Sequence, residues 1–376
     1  MNQFEIRRNK VYGYLDENGI DIFLIEDTEG RRAPSLRYLS GHPNDGLLFL
    51  CRRAKAVLFP WDTAMAAKYA HADEILPYTS FGRNPHEAIM GFLQREFSGG
   101  APKIALSAAM PYPLVIRLSE EIQKQFPGAT ILCDSKGPGA FIDKMRAIKD
   151  PEEITMLRKA ADILNTLCER LEKGVLGKSL VTETDAALFI EKECRIHGAE
   201  GTSFPTLAAG PDRSFGIHAF PGYTAAPFAA PGLSILDFGV SFEGYAGDVT
   251  LSFAVGNLSP KQKTMISLVE EAYTAALELC KPGESTVKIS RTVEQIFARH
   301  DFVMPHSLGH GLGLEVHEEP FLRTAQEADT ILKPGMIFTL EPGLYDPQGG
   351  GVRWENDILI TATGKEVLTR SRIVRM

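Results

Sequence analysis

What most narrows the fold of this chain is a pattern that occurs twice. From about residue 151 the order reads helix, helix, strands, and the same order returns after about 105 residues. Pro231-Gly232 leads into a strand bearing Asp237, and Pro334-Gly335 leads into a strand bearing Glu341. The expected helices lie near 151–173, 183–197, 260–280 and 286–300. The expected strands lie near 203–208, 232–242, 245–255, 306–309, 312–318, 335–344 and 351–361. Asp150-Pro151 can cap and start the first helix, with Glu152 and Glu153 at its positive dipole end. Lys281-Pro282-Gly283 breaks the third from the fourth. Two units of this length are too few and too long for a solenoid. They imply a diverged internal duplication, whose two halves would face each other across a cleft.

The residues before the duplication have another grain. Asp21-Ile-Phe-Leu-Ile25 and the runs at 47–51, 56–60, 103–106 and 130–133 read as buried strands, with helical patterns near 62–71, 85–97 and 113–125. Such alternation predicts an α/β domain with a parallel or mixed sheet, ending near residue 148. Charged residues make up 23% of the 376, and the formal net charge is -8. That acidic balance argues against a nucleic-acid surface, and no run of five like charges occurs to make a polyelectrolyte tail. The five cysteines form no CxxC pair, so neither a disulfide framework nor a zinc ribbon is expected. MNQFEIRRNK lacks an apolar signal region, and the longest apolar stretches fall far short of the roughly 20 residues of a membrane span. Both observations point to the cytoplasm.

The chemistry concentrates in two hairpins. If the first turns at Phe242-Glu243, Asp237 and Asp248 stand directly opposite each other on one face. Glu341 and Glu355 flank the turn Asp346-Pro-Gln-Gly-Gly-Gly351, centred on Gln348, and face each other likewise. Acids in strands are usually solvated edge positions. Like charges placed opposite each other destabilise a sheet, however, and a bound cation offsets that most simply. Between the hairpins runs His306-Ser-Leu-Gly-His310-Gly-Leu-Gly-Leu-Glu-Val-His317-Glu-Glu-Pro320. Glycines 309, 311 and 313 let the backbone approach closely, and His310 among them can present an imidazole to a metal. Four carboxylates with one histidine favour a hard or borderline divalent ion: Mn²⁺, Co²⁺, Fe²⁺ or Zn²⁺.

These phrases resemble the pita-bread metallopeptidase family, which includes prolidases, aminopeptidase P, methionine aminopeptidase and the metal-free creatinase. The matches are Asp237 and Asp248 eleven apart, His310 in GHGLGLEVHEEP, Glu341 in FTLEPGLY and Glu355 in GVRWEND. The stretch 144–161, KMRAIKDPEEITMLRKAA, resembles the junction between a creatinase-like N-terminal domain and the catalytic domain. The resemblance covers essentially the whole chain. It implies a creatinase-like α/β domain over 1–147 and an α+β pita-bread domain with pseudo-twofold duplication over 148–376. It also implies two metal ions per chain, Mn²⁺ foremost, with Asp237 holding one, His310 and Glu341 the other, and Asp248 and Glu355 bridging both. By the same resemblance Glu341 is the general base, and His218 and His317 face the substrate and its developing charge. Arg353 would either orient a ligand carboxylate or bind the substrate's own. The implied activity is hydrolysis of the bond preceding proline in short peptides. It would be that of a dipeptidase, with an aminopeptidase as the alternative; a peptide-binding pseudoenzyme and a creatinase-like C–N hydrolase stand further off. The implied assembly is a homodimer without nucleic-acid or membrane partners. Two departures lie outside the ligand set: Thr250-Leu251-Ser252 replaces a Thr-Arg-Thr phrase, and Phe321-Leu322 separate Pro320 from Arg323.

Overall fold

The computed structural model describes residues 1–97 and 99–376. It divides into two compact units, Met1–Met145 and Arg146–Met376.

In the first unit the apolar runs form a six-stranded mixed sheet. Its spatial order is Glu74–Ile75, Lys55–Pro60, Gly46–Cys51, Ile22–Asp27, Lys103–Leu106 and Thr130–Leu132. Ile22–Asp27 pairs antiparallel with Gly46–Cys51 and parallel with Lys103–Leu106. These central strands are buried along their whole length, so Ile22–Ile25 and Gly46–Cys51 read as unbroken apolar runs, while Glu26 and Asp27 end the first as buried acids. Helices Pro85–Glu96 and Tyr112–Gln125 contribute Phe92, Leu118 and Ile122 to the core around Phe49 and Phe59. The sequence pattern does not announce the helix Gln3–Glu17, although Asn2 and Glu5 close a capping box at its start. Its inward face carries Arg7 and Arg8, which donate to the carbonyls of Tyr38 and Leu39 and interrupt the apolar stripe.

The second unit builds a helix pair on a sheet twice. Pro151–Leu176 starts at an Asp150–Glu153 capping box and Glu183–Ile196 at a Thr182–Asp185 box. Their Leu164, Leu171 and Ile190 pack on Leu236, Phe238 and Val249. The sheet beneath runs Ile373–Arg375, Tyr245–Val255, Gly232–Phe242, Leu207–Ala209. In the other half, Pro260–Leu279 and Thr286–Ala298 set Val269, Tyr273 and Val293 against Phe338, Leu340 and Ile358. That sheet runs Glu318–Leu322, Gly309–Gly311, Ile337–Leu340, Asn356–Ile360, Lys365–Val367. Strand alternation sends Leu236 and Phe238 into the helical core and Asp237 to the opposite face.

The second hairpin has the expected register. Ile337–Leu340 pairs with Asn356–Ile360, and Gly343–Asp346 with Gly350–Arg353, about the same centre. Glu341 and Glu355 fall in the gap between these two ladders. The first hairpin differs from expectation by one residue. Phe242 pairs with Tyr245, so the turn is Glu243-Gly244, with φ of 50° and 81°. Positive φ at both central positions suits Gly244, whereas a turn at Phe242-Glu243 would put a phenylalanine there. Asp237 therefore lies opposite Thr250, and Asp248 opposite Gly239. The two aspartates still share a face, as diagonal neighbours. Residues 312–317 are a loop instead of the expected strand, and the ladder resumes at Glu318 after a register shift between His310 and Gly311. The loop folds tightly: a Cβ on Gly311 would meet the Glu319 carbonyl oxygen at 2.2 Å.

Candidate metal centre

Asp237 and Asp248 project from the first hairpin, Glu341 and Glu355 from the gap in the second, and His310 from the short strand between them. All five line one cavity of about 820 Å³, together with His218, His317 and Arg353.

Ligand atoms of Asp248, His310 and Glu355 lie within 4.8 Å of one another. His310 Nε2 is 3.5 Å from Glu341 Oε1 and 3.8 Å from Asp248 Oδ2. The other ring nitrogen, Nδ1, faces the Gly311 carbonyl at 3.2 Å, which fixes the tautomer with the Nε2 lone pair towards the acids. Burial, then the neighbouring His317, push the His310 pKa down to about 3. A neutral imidazole thus aims a lone pair at carboxylate oxygens.

The acids are in equal difficulty. Asp248 Oδ1 is buried without a hydrogen-bond partner among the described residues. Burial, then the charges of Glu355, Asp237, Asp357 and Glu341, hold Asp248 well above the usual carboxylate range, and burial, then Glu341 and Asp237, do the same to Glu355. Burial lifts Glu341 to about 7 and raises Asp237 as well, each against the pull of Arg353. Divalent cations would relieve the orphaned oxygen, the facing lone pair and the crowded charge together. The donor set, four carboxylates and an imidazole, fits such ions.

A surrounding shell fixes the carboxylates. Thr250 donates to Glu355 at 2.6 Å and accepts from Arg353 Nε at 2.9 Å. Ser252 donates to the Arg353 carbonyl at 2.7 Å, while Leu251 between them points into the helical core. This is how Thr250-Leu251-Ser252 serves the site without an arginine. Thr339 donates to Glu341 at 3.3 Å and accepts the His310 backbone N–H at 3.1 Å.

Arg353 is 2% exposed and committed to internal partners. It pairs with Asp237 at 2.5 Å and donates to the Tyr345 hydroxyl at 2.9 Å and the Ile217 carbonyl at 3.3 Å. Of the two roles expected for it, this geometry favours orienting Asp237. With four of its five N–H groups engaged in this way, no pair is left for a bidentate grip on a substrate carboxylate.

Three members of the site escape the sequence reading. Tyr345 links Arg353 to His306, whose Nε2 lies 2.9 Å from its hydroxyl. Asp357, 1% exposed, accepts the Asp248 backbone N–H at 3.2 Å. Position could have flagged Asp357, since it lies two residues beyond Glu355 and so on the same face of the strand. His218 and His317 are exposed to the cavity, with the His317 ring centroid 4.1 Å from that of His310.

Two facing half-sites thus bring four carboxylates and an imidazole together on one cavity of an internally duplicated domain, a donor set suited to divalent metal. Residues 155–362 match Metallopeptidase family M24, and residues 7–148 match the Creatinase/Prolidase N-terminal domain. The chain belongs to metallopeptidase family M24. It is 30% identical over 369 residues to the Xaa-Pro dipeptidase of Pyrococcus horikoshii, covering 96% of each chain. Among solved structures it resembles the prolidase from Pyrococcus horikoshii OT3, with TM-score 0.83, 27% identity and coverage of 98% of this chain and 99% of that one. It also resembles the X-Pro aminopeptidase from Thermotoga maritima, with TM-score 0.81, 25% identity and coverage of 98% and 99%.

Proposed function

We propose that this chain is an Xaa-Pro dipeptidase that uses two divalent metal ions per chain to hydrolyse the bond preceding proline in short peptides. The observation that carries the reading is the Asp248, His310 and Glu355 cluster, flanked by Asp237 and Glu341, in a chain similar over nearly its whole length to an Xaa-Pro dipeptidase. Asp237 would hold one ion, His310 and Glu341 the other, and Asp248 and Glu355 both. When bound, the ions supply an acidified water and polarise the scissile carbonyl. Glu341 takes the proton of the attacking water and passes it to the proline nitrogen as the C–N bond breaks. His317 and His218 offer N–H groups to the carbonyl oxygen as negative charge develops there. Arg353 keeps Asp237 in position. Phe204, Ile217, Phe220 and Phe321 supply apolar wall for a prolyl ring.

The reading takes Mn²⁺ as the working ion, with Co²⁺, Zn²⁺ and Fe²⁺ as alternatives. It takes 1–147 as the creatinase-like domain and 148–376 as the catalytic one. It extends to a cytoplasmic homodimer without nucleic-acid or membrane partners. Among the described residues no helix is long and apolar enough to cross a membrane. The second reading, an Xaa-Pro aminopeptidase, draws on the likeness to the Thermotoga maritima structure. The test is hydrolysis of Ala-Pro against Ala-Pro-Ala with Mn²⁺ added. Faster release of proline from the dipeptide is expected. Preference for the tripeptide selects the second reading, and inertness towards both contradicts each.

A further inference from the structure

A second cluster of buried charge lies beside the metal ligands, and the reaction above does not use it. Glu318 accepts from Lys149 Nζ at 2.8 Å on one oxygen and from Arg146 at 2.5 Å on the other. The Glu318, Lys149 and Arg146 side chains are 6%, 0% and 3% exposed. Arg146 also reaches Glu315 at 2.8 Å. Desolvating such ions is costly, and a well-packed apolar cluster of similar volume is often as stable or more so. Stability alone is therefore a poor account of this arrangement.

What the cluster touches suggests another account. Glu318 opens the strand Glu318–Leu322 and directly follows His317. Its carboxylate occupies the space beside Gly313, where a Cβ would meet Oε1 at 2.4 Å. Gly313 in turn donates to the Glu315 carbonyl at 2.9 Å and accepts from the Ala246 N–H at 2.7 Å. One carboxylate thus braces both ends of the loop that carries His317. The Lys149 backbone N–H donates to the Gly335 carbonyl at 2.9 Å, just before the strand that leads to Glu341. The His317 ring makes no hydrogen bond among the described residues and rests against the His310 ring, so the course of its backbone governs where it points.

We infer that Glu318, held by Lys149 and Arg146, is a positioning residue for His317. The inference rests on His317 acting at the substrate carbonyl. It is tested by a double-mutant cycle on metal-loaded enzyme turning over Ala-Pro, with Glu318→Gln, His317→Ala and the pair combined. Glu318→Gln is expected to lower kcat about ten- to a hundredfold, the scale of a misplaced catalytic group. Metal content should hold and KM should stay within about threefold, because ligands and walls are untouched. With His317 already alanine, the same change should cost less than about twofold, because its effect runs through the missing ring. Lys149→Met should behave as Glu318→Gln does, and Lys149→Arg, which keeps a cation on the carboxylate, should retain most of the turnover. If Glu318→Gln lowers folded yield, Glu318→Asp takes its place in the cycle, since it keeps the charge and draws it back by one methylene. Equal losses with and without His317 overturn the inference and leave the assignment of His317 standing. Full turnover by His317→Ala overturns both.

Discussion

Stripping the metal ions should cost this protein more stability the higher the pH at which it is done. In the metal-free fold the Glu341 carboxyl sits at about 7, against an ordinary value of 4.5. Between those values the folded chain keeps a proton that the unfolded chain gives up. The resulting stabilisation is fully present below about pH 4.5 and is lost as the pH rises through about 7. Each pH unit of that window is worth about 1.4 kcal/mol, so Glu341 alone contributes on the order of 3 kcal/mol. Asp248 and Glu355 are displaced in the same direction and add to it. Bound cations favour the ionised ligands, so the loaded protein does not lose this contribution. At roughly 2–4 °C of Tm per kcal/mol for a domain of this size, the gap between loaded and stripped protein should widen by roughly 6–12 °C from about pH 5 to about pH 8. The assay is scanning calorimetry at matched ionic strength, with Mn²⁺ or with a chelator. A gap that stays constant or narrows would refute the argument that these acids are held protonated for want of a cation.

Other substitutions separate the roles within the site. His310→Ala should lose both bound metal and activity. His317→Ala should keep its metal and lose about 10²–10³ in kcat, the usual cost of one oxyanion donor; bound metal and turnover measured together decide between them. Thr250→Val removes the hydroxyl that links Glu355 to Arg353, and should destabilise the fold by about 1–3 kcal/mol in urea unfolding because both partners are buried. Gly311→Ala forces a Cβ against the Glu319 carbonyl, and should cost about 1–3 kcal/mol or more in the same experiment.

Which parts of the fold and site could be read from the sequence follows from where the signals lie. The duplication was legible because Pro-Gly pairs announce both acid-bearing strands and each helix opens with a cap. The register of the second hairpin was legible from its glycine-rich turn, whereas the first hid one residue away, at Glu243-Gly244, where the glycine meets the demand for positive φ. Residues 312–317 alternate like a strand, yet their glycines admit a folded loop against Glu318–Leu322. Local pattern could not reveal the shell around the ligands. Tyr345, His306 and Thr250 acquire their roles only when Arg353 is brought beside Asp237 from 116 positions away in the chain. The same holds for the Glu318 cluster, whose partners lie 172 and 169 residues upstream.

The most direct test of the central claim is the metal stoichiometry of the purified, Mn²⁺-loaded protein. It is to be measured by elemental mass spectrometry beside its Ala-Pro hydrolysis before and after chelation. Two ions per chain are expected, with hydrolysis lost on chelation and restored by Mn²⁺. A trace of metal at most, or hydrolysis that survives its removal, would contradict the account.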